Sequence, residues 1–129
     1  MHESSGSLLV SLAVMDASAA LSELVGLSTQ VVEAVIVGTG GAVEAAHAAG
    51  DERARALAEA GGSLLAAAAG IRPSAPPVER VHVDLDRGSL VVVRDDHRSI
   101  VATTVAAPTA GLVAFDLRAT LRRLREAPA

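Results

Sequence analysis

Residues 78–106, VERVHVDLDRGSLVVVRDDHRSIVATTVA, decide the fold. β-Branched residues fill three runs, broken at Asp86-Arg87-Gly88 and at Asp95-Asp96-His97-Arg98, and both breaks have turn composition. The stretch therefore reads as a three-strand antiparallel meander. Its first run alternates: Val81, Val83 and Leu85 fall on one face, Arg80, His82, Asp84 and Asp86 on the other. The second, Ser89 to Arg94, and the third, Ser99 to Ala106, lack that alternation, as strands near the centre of a doubly covered sheet do. The first strand is thus expected at an edge. An edge must be blunted or paired, and pairing with its copy in a second subunit is one way to manage it.

Upstream, the prolines of Arg72-Pro73-Ser74-Ala75-Pro76-Pro77 forbid helix and make a linker. Before it, Asp51 to Ile71 opens with acidic residues and continues in strong helix formers. Leu57, Gly61, Leu64, Ala68 and Ile71 form one stripe of this helix, and Ala54, Ala58, Gly62, Leu65 and Ala69 form a neighbouring stripe of small residues. Gly61-Gly62 in mid-helix costs about 1 kcal/mol per glycine against alanine, which calls for close approach of another backbone or for a kink. Helix contact across a dimer is the preferred explanation. Val31 to Val37 reads as a strand covered on both faces, and Ala42 to Ala46 as a returning strand. The intervening Gly38-Thr39-Gly40-Gly41 is a hairpin turn rather than a phosphate loop, because such a loop should lead into a helix N-terminus.

At the start, residues 1–7 are polar and expected to be a disordered tail; Asp16 can cap a helix running through Val25 and ending at Gly26, with Ala17, Leu21, Leu24 and Val25 on one face. Leu8, Leu9, Leu12 and Met15 either extend that helix backwards or pack separately. A last helix is expected after Pro108 with Thr109 as cap, lined by Val113, Leu117, Leu121 and Leu124 with Leu112, Phe115 and Ala119 beside them. Arg118, Arg122, Arg123 and Arg125 crowd its end, where cations suit the helix dipole. These boundaries give an extension over 1–15, one domain over 16–126 and a tail over 127–129.

Composition excludes several activities. All eleven basic residues are arginine, so P-loop, Schiff-base and lysine-base chemistry is absent, and there is no cysteine for a disulfide, a thiol nucleophile or a thiolate zinc site. Phe115 is the single aromatic residue, and the net charge is −4, which together argue against a nucleic-acid or anionic-membrane partner. Leu8 to Met15 resembles a signal-peptide apolar region but lacks a basic start, and it is too short to span a bilayer, which takes about 20 residues. A cytoplasmic location and no cofactor are expected. One alternative is a metal-binding or hydrolytic site built from Asp95, Asp96 and His97, though the same residues make an ordinary polar turn. His82 and His47 are expected to face solvent, and His2 lies in the tail.

The order helix, hairpin, helix, three-strand meander, helix resembles the roadblock/LC7 family from about Asp16 to Arg125. Val31 to Ala46, Val81 to Val93, and Gly111-Leu112-Val113-Ala114-Phe115-Asp116-Leu117 carry it, the last being similar to bacterial members encoded beside small Ras-like GTPases. Where the hairpin usually has Asp-Gly, this chain has Gly40-Gly41, which supply the same positive φ angles. The resemblance implies an α+β fold, α-β-β-α-β-β-β-α, with a five-stranded antiparallel sheet between helices and extended across a homodimer. The implied dimer contacts are Ala58, Gly61, Gly62, Leu65 and Ala69 of the second helix and Arg80, His82 and Asp84 of the edge strand. It also implies a non-enzymatic regulator or scaffold of a small Ras-like GTPase, met by Glu52, Arg53, Arg55, Glu59 and Ser63. A structural adaptor for a sensor kinase-like protein or a motor component, with no effect on GTP turnover, is the alternative.

Overall fold

A computed structural model describes residues 17–72 and 77–126. The 1–15 extension, the Asp16 cap, most of the proline linker and the 127–129 tail lie outside the described residues. Helix α1 covers residues 17–27 and is followed by β1 (Val31–Val37), β2 (Val43–His47), α2 (Asp51–Ala69), β3 (Arg80–Leu85), β4 (Gly88–Arg94), β5 (Ser99–Thr104) and α3 (Ala110–Glu126). The strands form one antiparallel sheet in the order β2-β1-β5-β4-β3, so the meander's first strand is an edge, as its alternation requires.

The two sheet faces are covered unequally. On one, Ala34, Ile36, Val91, Val93, Ile100 and Ala102 pack with Leu21 and Leu24 of α1 and with Val113, Leu117, Leu121 and Leu124 of α3. On the other, Val35, Val37, Leu90, Val92 and Val101 meet α2, which buries only Ala54, Leu57 and Gly61. Two helices seal the first face. A single helix leaves the second partly open.

Several local expectations change. Helix α1 does not stop at Gly26; it runs through residue 27, and the Ser28 N–H donates to the Leu24 carbonyl at 2.7 Å. Helix α2 ends at Ala69, leaving Ile71 beyond it and 78% exposed instead of on its apolar stripe. Leu112 and Phe115 are exposed rather than packed beside the buried face of α3. The hairpin turn needs one left-handed residue, not two. Gly41 has φ +85° and donates to the Gly38 carbonyl at 3.0 Å, while Gly38 donates to Ala42 at 2.8 Å. The register shifts between Ile36 and Val37 absorb the remaining mismatch. At Gly88 a Cβ would collide with the Thr104 carbonyl oxygen, so glycine is needed where β4 starts beside β5.

Candidate protein–protein interface

The open face is built from α2 and the edge strand β3. Val81 and Val83 point toward α2 and are half-buried, as are Ala58, Leu64 and Leu65, while Leu85 at the end of the strand is 57% exposed. In the sheet order β3 has β4 on one side only, so among the described residues its outer backbone edge has no strand partner. An apolar, half-covered helix face lies here beside a strand edge open to pairing.

Of the expected dimer contacts, Ala58 and Leu65 lie half-buried on this face, Gly62 and Ala69 are exposed, and Arg80, His82 and Asp84 line the exposed side of β3. Gly61 is the correction. It is buried, and a Cβ there would stand 2.5 Å from Cγ2 of Val101, so its missing side chain serves the approach of α2 to the chain's own sheet. The helix is continuous from Asp51 to Ala69, so the glycine pair does not break it. Gly62 has open space where its Cβ would be.

The polar side of β3 is organised by one carboxylate. Asp84 Oδ1 accepts from Ser89 Oγ at 2.9 Å and lies 2.9 Å from His82 Nε2. The Ser89 hydrogen bond, and after it the His82 contact, hold the Asp84 carboxyl below its ordinary pKa. The carboxylate stands between the serine and the imidazole, so the histidine cannot take the serine proton as a nucleophilic site would require.

Along α2, Glu52, Arg55, Glu59 and Ser63 are exposed. Arg53 is different. Its Nε and one terminal nitrogen donate to both oxygens of Glu33 at 3.0 Å, and Thr103 Oγ1 donates to the same carboxylate at 2.9 Å. Arg53 therefore fastens the first turn of α2 to β1, although its side chain stays 55% exposed. The Arg53 hydrogen bond lowers the Glu33 pKa against the opposing effect of burial, and Glu33 raises that of Arg53. The signal for this pair was visible as one acidic residue inside an otherwise apolar strand. Arg55, with Asp51, borders a hollow of about 410 Å³ under the hairpin turn.

The alternative metal or hydrolytic site finds its first ligand already engaged. Asp95 Oδ1 accepts from the backbone N–H groups of His97 and Arg98, each at 2.8 Å, which is the turn use of aspartate. Among the described residues no group of three or more histidine and carboxylate side chains could hold a metal ion. Among them, too, no helix is long and apolar enough to cross a membrane.

No family model matches the sequence, and no curated protein matches it either. Solved structures do. A roadblock/LC7 domain from Streptomyces avermitilis superposes with a TM-score of 0.72 at 22% identity, covering 81% of this chain and 90% of that one. The chain has the roadblock/LC7 fold. The gliding protein MglB of Thermus thermophilus matches with a TM-score of 0.73 at 17% identity over 89% of this chain and 93% of its own. MglB of Myxococcus xanthus gives 0.71 at 15% identity, covering 86% of each chain. In roadblock terms, the half-covered surface is the one formed by the second helix and the first strand of the meander.

Proposed function

We propose that this roadblock chain is a non-enzymatic homodimeric regulator or scaffold that serves a small Ras-like GTPase. The observation that carries the reading is the unpaired β3 edge beside the half-buried Val81, Val83, Leu64 and Leu65. Two copies joined along β3 would continue the sheet and bring the two α2 helices together, covering apolar surface that α2 alone leaves open. Helix α2 would then present Glu52, Arg55, Glu59 and Ser63 outward along its length, with Arg53 setting the helix position through Glu33. Support for the GTPase comes from the resemblance of residues 111–117 to bacterial roadblock proteins encoded beside such enzymes.

Regulation would act by ordering the partner's own switch and its attacking water, since Arg53 is tied to Glu33 and is poorly placed to serve as an arginine finger. The test is co-purification with the Ras-like GTPase encoded nearest the gene, followed by single-turnover GTP hydrolysis. Faster hydrolysis that is lost in Arg55→Glu with Glu59→Arg supports the reading. Binding with unchanged turnover would make the chain an adaptor, and no binding to any such GTPase would end the proposal.

A further inference from the structure

A second apolar opening lies on the far side of the molecule, between α1 and α3. Arg123 reaches Glu23 at 2.9 Å across it, and its volume is about 400 Å³. Leu24 and Thr120 are buried at its floor, whereas Leu27 is 73% and Phe115 63% exposed at its rim. It faces away from α2 and β3, so a dimer formed through β3 leaves it uncovered. We propose that this groove is the docking site of the chain's own amino-terminal apolar segment, residues 8–15.

Two observations favour that occupant over a second copy or a foreign helix. Seven of the eight residues in Leu8-Leu9-Val10-Ser11-Leu12-Ala13-Val14-Met15 are apolar, so the segment gains by leaving water. Its attachment is close. Leu27 lies ten residues along α1 from residue 17, about 15 Å at the helical rise, and eight extended residues reach up to about 26 Å. Tethering gives such a segment an effective concentration in the millimolar range, which an untethered competitor must exceed.

Phe115 makes the test direct, because it is the only phenylalanine and the chain has no tyrosine or tryptophan, so selective phenylalanine labelling isolates its ring signals. In full-length protein with labelled leucine and valine methyls, the ring should show nuclear Overhauser contacts to methyls of residues 8–14. Those contacts should vanish in Leu9→Ser with Leu12→Ser while the circular dichroism of the fold is unchanged. A ring that contacts only residues of α1 and α3 overturns the proposal, as do unprotected amides throughout residues 8–15. Contacts seen only between differently labelled copies overturn it in favour of an interface between chains.

Discussion

Replacing Gly61 with alanine places a methyl group 2.5 Å from Cγ2 of Val101, a side chain with no exposed surface and a stiff χ1. Overpacking of this kind costs about 1–3 kcal/mol. Alanine returns about 1 kcal/mol of helix propensity, so the net expectation is destabilisation by about 1 kcal/mol. Val101→Ala alone should cost about 2 kcal/mol by opening a cavity. In that background the obstacle is gone, and Gly61→Ala should become stabilising by about 1 kcal/mol. The coupling between the two positions is then about 2 kcal/mol, within the range of contacting residues. Urea unfolding of the four proteins at one fixed concentration reads it as midpoint shifts of opposite sign, each of about 0.5 M. If Gly61→Ala behaves alike in both backgrounds, or stabilises the parent chain, then α2 does not approach β5 as described.

Two neighbouring glycines in the hairpin should separate in the same way. Gly41→Ala forces an L side chain to φ +85° and should cost about 1–2 kcal/mol, whereas Gly40→Ala, at a position without positive φ and with open space around it, should be neutral or stabilise by about 0.4–1 kcal/mol in thermal unfolding. The Glu33–Arg53 pair should show in acid unfolding. Because the folded state lowers the Glu33 pKa, its contribution is present at neutral pH and is lost as the pH falls through and below the ordinary carboxylate range. Glu33→Gln should therefore cost about 1 kcal/mol at pH 7, a value already reduced for the exposure of Arg53, and little at pH 3. An equal cost at both pH values would count against the ion pair.

The element order and the edge position of β3 were legible because strand alternation and turn composition are local signals, and the meander carries both without interruption. The glycine turn was legible as a turn, but not its single left-handed residue, since Gly40 and Gly41 look alike in sequence. Gly61 and Gly62 posed the same difficulty on a helix: one faces Val101 and the other faces open space, and only the distance of α2 from β5 separates them. Arg53 read as a partner-facing residue of α2 because its own partner Glu33 is distant in sequence and is brought to it by the sheet. Ala48 and Ala107 hold φ of +58° and +50°, left-handed positions that alanine does not announce. Phe115 was placed near the buried face from spacing alone, yet α1 lies far enough aside to leave it exposed.

Sedimentation velocity of the parent chain and of Val83→Arg reads the α2 and β3 face most directly. The parent should sediment at twice the chain mass. Val83→Arg, which sets a charge on the half-buried side of β3 facing α2, should sediment at the mass of one chain with its secondary structure retained. A monomeric parent, or a substituted chain that remains fully dimeric, would contradict assembly through that face.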